Sequence, residues 1–235
     1  MHIGILVTNT DRSDFAKARA SDGEKFTTLL HPLRTDWQFT PVQVVDGEFP
    51  KSVSDFDGYV IGGSPASVNE AEPWIETLFD FIREINRKAI PTVGVCFGHQ
   101  AIAKALGGHV GKNPGGWGWG LAATHFQTHE KWMMPDKKII NLFAAHNEQV
   151  TDLPESAEIL GGSDFCPVGS FSVGDHIMTT QYHPEMDLKF FAELTHDLKT
   201  YIGRDIAEAA LRSTTTAADT ASFAHWMVQF LEQKR

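Results

Sequence analysis

Two short runs in this 235-residue chain carry residue types that could make and break an acyl bond. The first is Gly94-Val95-Cys96-Phe97-Gly98-His99-Gln100. Its glycines flank a cysteine between the apolar Thr92-Val93 and the helix-forming stretch 101–106. A strand that turns sharply into a helix lifts such a residue above the sheet edge as a nucleophile elbow. Small flanking residues let the backbone fold back closely, and the N-terminus of the following helix favours a thiolate over a thiol. A lone cysteine also reads as a buried packing residue, so a second group is needed.

Gln181-Tyr182-His183-Pro184-Glu185 supplies it. A thiol nucleophile needs a base that takes its proton and later returns it to the leaving group. His183 is the candidate. Residues two apart in extended chain share a side, so Glu185 can hold the imidazole as the third member of a Cys–His–Glu triad.

These runs resemble the signatures of the class I glutamine amidotransferases. Gly94, Cys96, Gly98 and Gln100 meet the Gly-x-Cys-x-Gly-x-Gln pattern; Gln181, His183, Pro184 and Glu185 meet Gln-x-His-Pro-Glu. The segment 58–65 resembles the family's strand and Gly-Gly loop, and the likeness runs in order over roughly residues 1 to 200. The resemblance implies that Cys96 attacks a γ-glutamyl carbonyl and that the amides of Gly63 and Phe97 form the oxyanion hole. It also implies that Gly62 and Gln100 meet the substrate. A fourth segment, 144–150, is similar to the family's His-x-x-x-Val element, which puts His146 and Asn147 at the amino-acid end of glutamine. A polar loop between strands is the other reading of that segment. The run 44–50 and a helical tail are similar to those of the stand-alone γ-glutamyl peptidase-like members, and the core equally to the amidotransferase domain of GMP synthases. Where relatives have Gly-Trp and then an acid, this chain has Gly115-Gly116-Trp117-Gly118-Trp119-Gly120. Those indoles either receive the leaving group of a larger γ-glutamyl compound or pack locally in a turn.

The elements that must position these groups read as strand 2–9, helix 14–31, strand 38–45, strand 57–61, helix 72–88, strand 91–95 and helix 99–106. Apolar strands alternating with helices predict an α/β fold, a mostly parallel central sheet with helices on both faces. The resemblance makes it flavodoxin-like. Cys96 and His183 both follow strands, at the carboxyl ends where such sheets bind ligands. Antiparallel strands are expected between 110 and 181, then a helix 187–204. The tail predicts helices 205–211 and 222–233, the second with Phe223, Trp226, Met227, Phe230 and Leu231 on one stripe that docks on the domain. One domain over 1–235 is expected, with a core of about 1–203 and a C-terminal extension of about 204–235.

Lys and Arg number 20 against 30 Asp and Glu, a net charge of −10. With no basic run, nucleic acid and anionic membranes are poor partners. No apolar stretch is long enough to span a bilayer, and the first seven residues read as a strand and not as a signal peptide. The glycine-rich stretches lack the Gly-Lys-Ser/Thr ending of a phosphate loop. His125 and His129 do not form a helical zinc motif, so no metal and no cofactor are expected. Two cysteines, with Cys166 as a packing residue, fit a reducing cytoplasm. The substrate expected is glutamine or a γ-glutamyl small molecule. Two roles fit: a stand-alone hydrolase, or the glutaminase subunit of an amidotransferase that hands ammonia to a separate synthetase. A binding protein that keeps the fold without turnover is a third reading, against which the intact Cys96, His183 and Glu185 stand.

Overall fold

The computed structural model describes residues 1–233. Its strands are β1 (His2–Leu6), β2 (Gln38–Val42), β3 (Gly58–Ile61), β4 (Thr92–Val95), β5 (His109–Lys112), β6 (Gly118–Phe126), β7 (Ile139–His146), β8 (Glu148–Asp152), β9 (Ala157–Gly162), β10 (Ser170–Val173) and β11 (Ile177–Thr180). The α-helices are α1 (Asp14–Lys17), α2 (Asp22–Leu30), α3 (Pro73–Arg87), α4 (Phe97–Ala105), α5 (Leu188–Ile202), α6 (Arg204–Ser213) and α7 (Thr220–Leu231). A nine-stranded sheet runs β2-β1-β3-β4-β11-β10-β9-β6-β7, and β5 pairs with β8 apart from it. From β2 to β11 every pairing is parallel; from β11 to β7 every pairing is antiparallel. The α/β class and the helix-covered parallel half match the sequence reading. The antiparallel strands extend that same sheet.

Alternating side chains explain the layering. Ile3, Ile5, Val60, Val93 and Val95 face α2 and α7, where Phe26, Leu30, Trp226 and Phe230 cover them. Leu6, Tyr59 and Ile61 face the opposite layer, with Ile75, Leu78 and Ile82 of α3 and Ile102 of α4. Strands buried on both faces read as near-continuous apolar runs, as Ile3–Leu6 and β3 do. Pro41 falls in β2, the edge strand, where a missing N–H does no harm.

Several boundaries differ from the sequence expectation, and strand 2–9 already ends at Leu6. Helix 14–31 is two helices, because Ser21 and Glu24 form a reciprocal capping box that starts α2 afresh. Strand 38–45 ends at Val42, and Val44–Asp46 is a 3₁₀ turn. The helix after the cysteine begins at Phe97, two residues early.

The apolar stripe of α7 docks as expected: Phe223, Trp226, Met227, Phe230 and Leu231 are all buried. Trp226 sits edge-on to Phe126 at 4.9 Å and donates its indole N–H to the Pro135 carbonyl at 3.0 Å. Trp226→Ala should lower the unfolding free energy by about 3–5 kcal/mol, the usual cost of emptying such a site. A urea titration that moves by less than about 1 kcal/mol would contradict this packing. Among the described residues no helix is long and apolar enough to cross a membrane.

Candidate active site

Cys96 stands between β4 and α4 with φ 51° and ψ −102°. A non-glycine residue at positive φ is held there only by its surroundings, at a cost of order 1–3 kcal/mol. The surroundings can be named. The Cys96 N–H donates to the Thr180 carbonyl of β11 at 2.9 Å, and the Gly98 N–H donates to the Gly62 carbonyl at 3.0 Å. A Cβ on Gly98 would lie 2.3 Å from the Ile61 carbonyl oxygen, and one on Gly94 would lie 2.5 Å from Ile102 Cδ1 and 2.9 Å from the Gly98 carbonyl. Both glycines are thus required by close approach, that of Gly98 to β3 and that of Gly94 to the turn of α4. Gly98→Ala is expected to cost about 3 kcal/mol or more, since a backbone carbonyl cannot move aside. Chemical denaturation of that variant, set against the parent, checks it.

His183 follows β11, and its N–H donates to the Phe143 carbonyl of β7 at 2.9 Å. Its Nδ1 lies 2.6 Å from Glu185 Oε1, with both side chains almost fully buried. The pair forms as expected, but Pro184 and Glu185 lie in a turn, so the two groups meet across a bend and not along a strand. A carbonyl or carboxylate at Nδ1 keeps the proton there in the neutral ring, which leaves Nε2 as the acceptor. Nε2 is buried and has no well-formed hydrogen bond. Burial pulls His183 down, but the charges of Glu185 and of the Cys96 sulfur outweigh it and hold the imidazolium well above the ordinary histidine range. The ring and the sulfur flank one point: a Cβ on Gly63 would lie 3.0 Å from His183 Cε1 and 3.7 Å from Cys96 Cβ.

The Gly62–Gly63 peptide is oriented by α4. Its carbonyl, that of Gly62, accepts the Gly98 N–H. In a trans peptide the N–H then points the other way. That N–H, of Gly63, has no partner among the described residues, and the Gly63 carbonyl is taken by Thr8 Oγ1 at 2.9 Å. The Phe97 N–H opens α4 and has no carbonyl a turn earlier to bind. The Phe97 ring is buried against Trp74.

A cavity of about 970 Å³ joins Cys96, His183, Glu185, Gly63, Gln100, His146 and Asn147. Gly62 does not line it. Its N–H goes to the Leu6 carbonyl and its carbonyl to Gly98, so it positions its neighbour. Gln100 lines the cavity but spends its amide N–H groups on the Glu148 carbonyl at 2.8 Å and on Gln181 Oε1 at 3.1 Å. His146 Nδ1 lies 3.0 Å from the Glu148 carbonyl, which fixes the tautomer with Nδ1–H as donor. Burial pushes His146 down to about 4, against the pull of that carbonyl, so it is neutral at pH 7. Asn147 sits between β7 and β8, and its carbonyl accepts from the Asn113 N–H.

Several parts of the cavity went unread in the sequence, among them the α5 face with Phe190, Leu194, Leu198 and Tyr201. Residues 11–25 form one wall, following β1 at its carboxyl end, and that placement was the available signal. Glu148, which accepts from Ser67 Oγ at 2.6 Å, lines it within a segment whose neighbours were singled out. Both cysteines are free; Cys166 is buried and burial pushes its thiol up to about 12.

Residues 27–196 match the family model for glutamine amidotransferase class-I. Gamma-glutamyl peptidase 3 of Arabidopsis thaliana is 33% identical over 67% of this chain and 66% of its own length. A glutamine-hydrolyzing GMP synthase component from Sulfolobus acidocaldarius is 30% identical over 66% of this chain and 83% of its own length. A solved glutamine amidotransferase from Thermotoga maritima superposes with a TM-score of 0.77 over 99% of this chain and 98% of that one, at 21% identity, and so has the same fold.

Proposed function

The chain belongs to the glutamine amidotransferase class-I family, and from that premise we propose that it is a cysteine hydrolase of γ-glutamyl amide bonds. One observation carries the reading: Cys96 at a strained elbow shares a cavity with the buried His183–Glu185 pair and with Gly63, whose N–H is unspent. The Cys96 thiolate attacks the γ-carbonyl carbon. The oxyanion that forms is met by the amides of Gly63 and Phe97, donors of a kind worth about 3 kcal/mol each. The C–N bond breaks as the His183 imidazolium gives its proton to the departing nitrogen. Water then attacks the thioester, passes a proton to His183 and releases glutamate, which restores the thiolate. Glu185 holds the ring and stabilises its charge. Gln100 and Glu148 hold the 146–149 segment, and His146 and Asn147 line the cavity at the end that would receive the amino-acid part of the substrate.

The likeness to a GMP synthase component favours a second reading, a glutaminase that feeds ammonia to a separate synthetase. Purified protein offered glutamine and γ-glutamyl dipeptides separates the two. Dipeptide cleavage by the protein alone, with glutamate released in equal amount, is the result expected of a hydrolase. Glutamine turnover only, rising when a synthetase is added, would favour the second. No turnover, with a Cys96 that an alkylating glutamine analogue fails to label, would sink both.

A further inference from the structure

The cavity is at the upper end of the roughly 300–1,000 Å³ of pockets that take drug-sized ligands. A γ-glutamyl group leaves much of it empty. One wall of the cavity is aromatic. Trp117 stands edge-on to Trp119 at 5.6 Å and to Tyr201 at 5.5 Å, and all three line the cavity. Trp119 is held in place within that wall. The Trp119 indole N–H donates to Thr195 Oγ1 at 2.9 Å, and Thr195 donates to the Phe191 carbonyl at 2.8 Å. Phe191 is stacked on Phe143 at 4.5 Å. Phe190, Leu194, Leu198 and Tyr201 continue the wall as one helical stripe of α5.

The sheet ties this wall to His146 and, through β7, to the reacting His183. Gly118, between the two indoles, pairs with His146, and Trp119 pairs with Ala145. Two residues back, Phe143 bridges to His183. A Cβ at Gly118 would lie 2.7 Å from His146 Nε2, so no side chain can intervene there. The indoles therefore both pack locally and present surface to the cavity. Tyr201 is 72% exposed, although large aromatic side chains are usually covered. Flat aromatic rings offer surface to flat apolar partners, and an anchored one such as Trp119 does so at little entropic cost.

Resting on the hydrolase reading above, we infer that Trp117, Trp119 and Tyr201 determine specificity for the amine half of the substrate, and that this half carries an aromatic ring. The substrate class is then γ-glutamyl amides of aromatic amines or aromatic amino acids. Binding to Cys96→Ala, measured by calorimetry, tests it apart from turnover. γ-Glutamyl-phenylalanine should bind at least about tenfold more tightly than γ-glutamyl-alanine, within the range that an apolar pocket can discriminate. Adding Trp117→Ala should cut that ratio below about threefold. Adding Tyr201→Ala, an exposed change that the fold tolerates, should cut it about two- to threefold. Equal affinity for the two dipeptides, or a ratio that neither substitution alters, overturns the inference. Wild-type protein that hydrolyses both dipeptides equally, with equal affinity in Cys96→Ala, defeats this inference and leaves the hydrolase reading standing. Preferential binding with no turnover by wild type does the reverse.

Discussion

Cys96→Ser is expected to lower kcat by at least about 10³-fold while the fold stays within roughly 1 kcal/mol of the parent. The two side chains have nearly the same shape, and Cys96 sits at φ 51° through backbone bonds to β11 and of Gly98 to Gly62, neither of which uses the sulfur. What changes is the nucleophile. A thiol next to an imidazole gives up its proton readily; a hydroxyl does not, and the buried His183 is arranged with its charge already favoured. An alkoxide would have to form during attack from a hydroxyl that is a far weaker acid than a thiol, and Glu185 leaves less of the imidazole neutral and able to take the proton. The thioester intermediate also disappears. Mass spectrometry of the parent under turnover should find the chain heavier by one γ-glutamyl acyl group, and the serine variant should carry none. Parent-like turnover in the variant would remove Cys96 from the role given to it.

How far the sequence could be read depended on the range of the interaction. The elbow was legible because its demands are local: Gly94, Cys96 and Gly98 lie within five residues, and two backbone approaches under 3 Å leave glycine as the residue that fits. His183 and Glu185 were legible for the same reason, although the turn at Pro184 replaced the extended chain that was expected. The parallel strands announced themselves by apolar runs buried on both faces. The break between α1 and α2 was written in Ser21 and Glu24 but masked by helical periodicity on both sides. What the sequence hid was long-range. That Tyr201 stands beside Trp117, or that Gly62 spends both its polar groups behind the cavity, depends on how α5 crosses β6 and how β3 meets α4. No spacing within a single segment encodes either. The pairing of Gln100 with Gln181 is intermediate: both belong to recognisable runs, yet their hydrogen bond exists because β4 and β11 are neighbours in the sheet.

Glu185→Gln should reduce kcat/KM by about 10²–10⁴-fold and move the alkaline limb of the pH profile to lower pH. The sign follows from what surrounds His183. Burial favours the neutral ring; Glu185 and the Cys96 sulfur favour the charged one and prevail. The competent form pairs a thiolate with an imidazolium, and it is lost when pH rises through the raised value of His183. In the parent that limb therefore lies above the ordinary histidine value of about 6.5. Glutamine in place of Glu185 removes one of the two opposing charges and leaves burial in place, so the imidazolium is lost at a lower pH and fewer molecules are competent at neutrality. There is a structural cost as well. Glu185 Oε2 is buried without a hydrogen-bond partner, so an NH₂ group set there has no acceptor, and an unsatisfied buried donor costs about 1–3 kcal/mol. The variant can avoid this by turning its NH₂ towards Nδ1, but that forces the ring into the tautomer with its proton on Nε2, facing the sulfur it should deprotonate. Either orientation impairs the base. An alkaline limb that stays in place in Glu185→Gln, with kcat/KM within about threefold of the parent, would mean that the carboxylate neither charges nor orients His183. Its 2.6 Å contact would then be structural alone.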